Sequence, residues 1–173
     1  MKKRKIILNL CTSLDGFIEG SNGEIDWCFT DQDYGMTDFL KQIDTIFIGR
    51  KSYEQLKQIS PKSFEDKQKI VFSKSLKNSE TSLRVVSDNI KKEVKKIQYE
   101  MGKDIWLFGG ANLTSFMLKH NLIDETIISV HPLILGAGKP LFISIEKRKK
   151  LKLKDIKSFS TGLVQLFYEV KKG

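Results

Sequence analysis

The chain has 173 residues, 40% of them hydrophobic and 29% charged, which suits one domain with a sizeable core and excludes a disordered chain. Lysine and arginine exceed aspartate and glutamate by 30 to 21, and the resulting formal charge of +9 favours an anionic partner: nucleic acid, an anionic membrane or a phosphorylated small molecule. Two cysteines, Cys11 and Cys28, exclude a disulfide framework, and with no CxxC or Cys/His cluster in the sequence no metal site is expected.

The start, MKKRKIILNLC, resembles a lipoprotein signal, but its apolar stretch runs only from Ile6 to Leu10 and contains Asn9. A secretory core needs about 7–15 apolar residues, so the segment reads as a buried first strand behind a basic tail. No other stretch approaches the roughly 20 apolar residues of a membrane span. A cytoplasmic protein with reduced thiols and no membrane partner is expected.

In chain order, KIILNLCT (5 to 12) predicts a central strand, followed by a polar, glycine-rich front loop from about Leu14 to Asp33. Met36, Phe39, Leu40 and Ile43 recur at helical spacing, and TIFIG (45 to 49) predicts a buried strand before a short helix over RKSYEQL (50 to 56). KIVFS (69 to 73) and LRVV (83 to 86) predict two more strands. Ile90, Val94, Ile97 and Met101 predict a helix capped by Ser87 or Asp88. IWLFGG (105 to 110) is a strand, Leu113, Phe116 and Met117 mark the helix behind it, and ETIISVHPLI (125 to 134) is a strand again. LKLKDIKSF and TGLVQLFYEV predict a terminal antiparallel pair with Gly162 near the turn. Strands alternate with helices until the last third. The expected fold is therefore a three-layer α/β/α sandwich with a mainly parallel central sheet and antiparallel C-terminal edge strands, in a single domain covering 1–173.

Open α/β sheets bind ligands outside the carboxyl ends of their strands, and three polar stretches fall there. FGGAN (108 to 112) reads either as a tight turn before a helix or as a place where glycine backbone approaches a diphosphate. It does not match GxGxxG. GRKS (49 to 52) reads either as a solvated basic helix start or as a phosphate clamp, and Ser73 and Lys74 repeat that chemistry at a third strand end. GAGKP (136 to 140) fails as a P-loop, because Leu133 replaces its first glycine and Pro140 its Ser/Thr; it reads as a loop between strands. The front loop carries Asp15, Trp27, Asp31 and Asp33, whose turn-forming residues also offer a carboxylate for a heterocycle or a proton. His120 suits a helix carboxyl end, and His131, before Pro132, reads as structural.

In order, SLDGFI (13 to 18), Trp27, DTIFIGRKSYEQL (44 to 56), VFSKS (71 to 75), IWLFGGANL (105 to 113) and HPLILGAGKPLF (131 to 142) resemble the dihydrofolate reductase-like family. The branch they resemble is the one related to the reductase domain of the bifunctional riboflavin-biosynthesis deaminase-reductase. The zinc signature of the deaminase half is absent from the sequence.

The resemblance implies an NADPH-dependent reductase. It puts Gly109, Gly110, Ala111, Asn112 and Leu113 along the cofactor diphosphate, Gly49, Arg50, Lys51 and Ser52 on phosphates, and Ser73 and Lys74 near the adenosine 2′-phosphate. It implies a cis peptide between the paired glycines, catalytic roles for Asp15, Trp27 and Asp33, and substrate contacts at Asn9, Ile18 and Phe39. Asp31, Asp33, Asp38 and water all stand as proton donors. The implied substrate is a small heterocycle, a riboflavin-precursor-like ribosylaminopyrimidine (5-amino-6-(5-phosphoribosylamino)uracil reductase-like) or a pteridine. A homodimer through the terminal strands is also implied. Dihydrofolate reductase proper, a relative that keeps the cleft without catalysis, and a nucleic-acid-binding module are the alternatives. The last rests on the +9 charge and EKRKKLKLKDIK (146 to 157), where the alternation in LKLKDIK instead suggests a strand with one lysine-lined wet face and no nucleic-acid partner.

Overall fold

A strand covered on both faces needs apolar residues at odd and even positions alike, and β1 (Ile6–Ser13) meets that demand. Ile6 and Leu8 enter one core cluster, and Ile7 enters a second on the opposite face. The computed structural model describes residues 3–60, 62–76 and 83–172. After β1 come β2 (Phe17–Glu19), α1 (Met36–Lys41), β3 (Ile43–Gly49), α2 (Arg50–Ile59), β4 (Gln68–Phe72) and β5 (Leu83–Val86). Then follow α3 (Ile90–Gln98), β6 (Asp104–Gly109), α4 (Ala111–Lys119), β7 (Glu125–His131), β8 (Lys139–Pro140), β9 (Leu151–Ser158) and β10 (Val164–Val170).

Eight strands form one sheet in the order β5-β4-β3-β6-β1-β7-β10-β9. The pairs from β5 across to β7 are parallel, and β10 and β9 join antiparallel at the edge. Helices α3 and α4 cover one face through Val94, Ile97, Leu113 and Met117. Helices α1 and α2 cover the other through Phe39 and Tyr53, with Trp106 of β6 beneath them. The expected sandwich with an antiparallel C-terminal edge is the fold.

Local differences from the sequence reading have physical causes. Ile43 opens β3 rather than closing α1. Met101 lies beyond α3 and is 88% exposed, so the helical spacing stops at Ile97. The residue before α3 is Asn89 in a left-handed conformation, not Ser87 or Asp88, and it makes no side-chain cap bond. The basic start is no free tail: the Arg4 guanidinium is buried against Asp44, Thr45 and the carbonyl of Lys103. Lys3 and Lys5 pair with Asp124 and Glu125.

GAGKP is not wholly loop. Lys139 and Pro140 pair with β2 as a separate two-stranded ribbon, which ties the front loop to the segment after β7. At the other edge, β9 is bulged opposite Phe167 and Tyr168. The bulge lets Leu153 and Ile156, an odd number of residues apart, stand on one face of the strand with Leu151. No helix among the described residues is long and apolar enough to cross a membrane.

Candidate functional site

β3 ends at Gly49 and β6 at Gly109, and these parallel neighbours release α2 and α4 side by side. Neither helix has an acidic residue in its first turn or a side-chain cap bond, so both present unpaired amides and the positive ends of their dipoles. The glycine pair makes this approach possible. Gly109 and Gly110 have φ of 126° and 91°, and a Cβ on Gly110 would stand 3.2 Å from Ser52 Oγ and 3.8 Å from Gly49 Cα. The expected cis peptide is absent: the described residues contain none, and the chain turns through positive φ instead.

Above the pair lies a cleft of about 500 Å³. Gly49, Arg50, Lys51 and Ser52 reach it from α2, and Ser73 and Lys74 from the end of β4. Gly110, Ala111, Asn112 and Leu113 line it from α4, while Gly109 is buried behind. The structure thus gathers into one hollow the residues that the sequence distributes over three strand ends. Arg50 also bonds both carboxylate oxygens of Glu54, at 2.8 and 3.0 Å. Ser73 Oγ accepts the amides of Ser75 and Leu76 and so holds the turn that presents Lys74.

Five lining residues escaped the sequence reading: Phe72, Ser87, Ile90, Phe116 and Lys139. Ser87 follows β5 as Ser73 follows β4, so the rule of looking past each strand end would have found it. Lys139 arrives through the β2–β8 ribbon, where it pairs with Glu19 at 2.8 Å; nothing local in the sequence signals that reach.

The front-loop residues stand elsewhere, and none of Asp15, Ile18, Trp27 or Asp33 lines this cleft. Asp15 accepts the Ser13 hydroxyl at 2.6 Å and the amides of Gly136 and Leu135 at 2.8 and 3.2 Å. The Ser13 bond first, and then those amides, hold its carboxyl below the usual range. Asp33 accepts the Thr37 amide at 2.9 Å and hydroxyl at 2.8 Å at the start of α1, and these bonds lower its pKa too. Asp31 accepts a bond from Tyr34, and Asp38 pairs with Lys41.

Ile18 lies half-buried in β2. Asn9 is buried in β1, and its carbonyl accepts the indole N–H of Trp106 at 2.8 Å. Phe39 is buried edge-on against the same Trp106 ring, so Asn9 and Phe39 sit around one core aromatic.

Trp27 has a buried indole N–H without a hydrogen-bond acceptor, and its ring stands edge-on to His131 at 5.3 Å. His131 is fully buried, its Nε2 accepts the Phe29 amide at 3.0 Å, and burial lowers its pKa. It anchors the front loop, in keeping with a structural role. His120 terminates α4 against the Phe116 ring, and burial lowers its pKa as well.

Comparison with known proteins gives the family and relates the fold to solved structures. Residues 4–165 match the model of the RibD C-terminal domain. The chain is 46% identical over 180 residues to the uncharacterized protein YyaP of Bacillus subtilis (strain 168), covering 97% of this chain and 96% of that protein. Its fold is similar to that of a putative riboflavin biosynthesis protein from Shewanella sp. PV-4, with a TM-score of 0.87, 22% identity, and coverage of 97% of this chain and 99% of that one. It is also similar to a diaminohydroxyphosphoribosylaminopyrimidine deaminase/5-amino-6-(5-phosphoribosylamino)uracil reductase from Thermotoga maritima, with a TM-score of 0.75 and 18% identity over 98% of this chain and 57% of that one. The family match spans nearly the whole sheet and both helices that frame the cleft. The chain belongs to the RibD C-terminal domain family.

Proposed function

We propose that the protein is an NADPH-dependent reductase delivering hydride to a small nitrogen heterocycle, with a ribosylaminopyrimidine of the 5-amino-6-(5-phosphoribosylamino)uracil type as the leading substrate class. One observation carries the reading: two uncapped helix starts converge at Gly49 and Gly110, within a cleft that also holds Arg50, Lys51, Lys74 and Lys139. Such a site is built for a dianionic or more highly charged ligand. The donor set fits a dinucleotide, because a side chain at Gly110 would fill the space where a diphosphate meets backbone.

When bound, the nicotinamide supplies the hydride; the chain supplies position. The amides of Ala111 and Asn112 and the side chains of Arg50 and Ser52 bind the diphosphate, and Ser73 and Lys74 hold the 2′-phosphate that distinguishes NADPH from NADH. The front loop, tethered by Asp15 and His131, would close over the nicotinamide and the substrate. Hydrogen bonds lower the pKa values of Asp15 and Asp33, and the proton comes from water or from one of Asp31, Asp33 and Asp38.

A fluorescence titration with NADPH and NADH tests the cofactor, and NADPH oxidation across aminopyrimidine and pteridine substrates tests the reaction. Failure to bind NADPH would overturn the proposal at its root. Turnover of dihydrofolate in preference to every aminopyrimidine would overturn the substrate class alone.

The same reading extends to a homodimer through β9. All eight of its residues are exposed, and its bulge gathers Leu151, Leu153 and Ile156, each at least 44% exposed, on one side. An unpaired edge with an apolar face is an association surface.

A further inference from the structure

Three side chains far apart in sequence meet beneath the front loop. Cys11 comes from β1, Cys28 from the loop and His131 from the end of β7, and one ligand atom of each lies within 4.8 Å of the other two. The parallel register makes the meeting possible: Cys11 lies opposite Ser129 and Ser13 opposite His131, so Cys11 and His131 share a face two residues out of step. The 16 residues between Cys11 and Cys28, and the far larger gap to His131, hide the group from any search for short metal motifs.

We propose that Cys11, Cys28 and His131 bind a soft divalent cation, Zn2+ by its ligand chemistry, which fastens the front loop to the sheet. Two sulfurs and one imidazole form the Cys2His set that zinc accepts, with solvent as the fourth ligand. Zinc bonds of about 2.3 Å to sulfur and about 2.0 Å to nitrogen set the ligand atoms roughly 3.5–3.8 Å apart, so no side of the triangle need shorten by more than about 1.3 Å.

The imidazole is already oriented. His131 Nδ1 lies 3.2 Å from the Ser129 carbonyl, to which it donates, leaving the lone pair on Nε2. That lone pair now accepts the Phe29 amide at 3.0 Å, so the ion replaces one hydrogen bond and moves the 27–29 segment. Trp27 and Phe29 flank the imidazole edge-on at 5.3 and 4.9 Å, and the partly exposed Phe29 side leaves room for a solvent ligand. The charge balances within the site, because Zn2+ plus two thiols gives a neutral bis-thiolate and releases two protons.

Titrating the reduced full chain with Co2+, a spectroscopic stand-in for Zn2+, tests the site without reference to turnover. One equivalent is expected to produce a sulfur-to-cobalt charge-transfer band and tetrahedral visible absorption, both removed by added Zn2+. Trp27 emission should change with the same stoichiometry, because its segment carries the displaced Phe29 amide.

Cys11→Ser and Cys28→Ser should each abolish the charge-transfer band. Should the β1 variant fail to fold, the loop variant Cys28→Ser decides, with a thermal melt to show that it remains native. Apparent affinity should fall by up to about 100-fold per pH unit on the acid side, because two protons compete. Unaltered Co2+ spectra in Cys28→Ser overturn the proposal. So does a reduced wild-type chain whose two thiols stay fully reactive toward a thiol reagent in excess Zn2+. A chain that is two hydrogens lighter as isolated, and takes up no metal after reduction, also overturns it in favour of a disulfide pair.

Discussion

Replacing Gly110 separates the geometry of the cleft from its charge. In Gly110→Ala the new Cβ meets Ser52 Oγ at 3.2 Å, and the backbone must keep φ near 91° or move. A side chain held in that region costs about 1–3 kcal/mol, and turning Ser52 away adds about 0.5–1.5 kcal/mol. The Ser52→Ala background should therefore recover the contact but not the backbone cost. Gly110→Asp carries the same strain and adds a carboxylate where the proposal puts a diphosphate. At about 4 Å and an effective dielectric of about 20, each pair of like charges costs roughly 4 kcal/mol. Screening in an open cleft reduces this, so a loss of at least about 100-fold in NADPH affinity is expected for the Asp variant, against at most about tenfold for Ala. Urea melts of all variants report the strain, and NADPH fluorescence titrations report the charge. A folded Gly110→Asp protein with wild-type NADPH affinity would refute the reasoning. Equal losses in the Ala and Asp variants would show that shape, not charge, governs the cleft.

Ser73→Ala with Lys74→Ala should weaken NADPH by about tenfold or more and leave NADH nearly unchanged, as measured by parallel titrations. Asp15 and Asp33 both have folded pKa values below their unfolded ones, so each contributes stability above the unfolded pKa that is lost as pH falls through the folded pKa. Urea midpoints of wild type and of Asp15→Asn with Asp33→Asn should accordingly differ near about pH 6 and converge toward about pH 3, and a constant gap would contradict the assignment. Leu153→Lys with Ile156→Lys puts charge on the exposed face of β9 and should give a monomer by light scattering while leaving NADPH binding intact.

The strands around the cleft were legible because burial on both faces writes nearly continuous apolar runs, as in IFIG and IWLFG, and glycine marks where each run stops. The phosphate side of the site was legible for the same reason, since parallel strands deliver their ends to one edge of the sheet. The β2–β8 ribbon was not, because segments of three and two residues have no periodicity to read. Met101 misled because its spacing continues the α3 pattern although the helix has already ended at Gln98. The meeting of Cys11, Cys28 and His131 depends on the pairing of β1 with β7, across more than a hundred residues, which no local pattern contains. Nor does residue type show that Asp15 and Asp33 spend their acceptor capacity on loop and helix amides.

The placement of β1 bears on how the chain is made. Its partners are β6 and β7, which begin at Asp104 and Glu125, so this strand has no lateral neighbour from its own sheet until about a hundred further residues have been made. At about 5–20 residues per second, Ile6 to Leu10 wait roughly 5–20 s after leaving the ribosome before β6 can flank them. During that interval an apolar segment with open edges is a substrate for chaperones and a seed for aggregation. Any fragment that stops short of β6 leaves the central strand of the sheet without either flank.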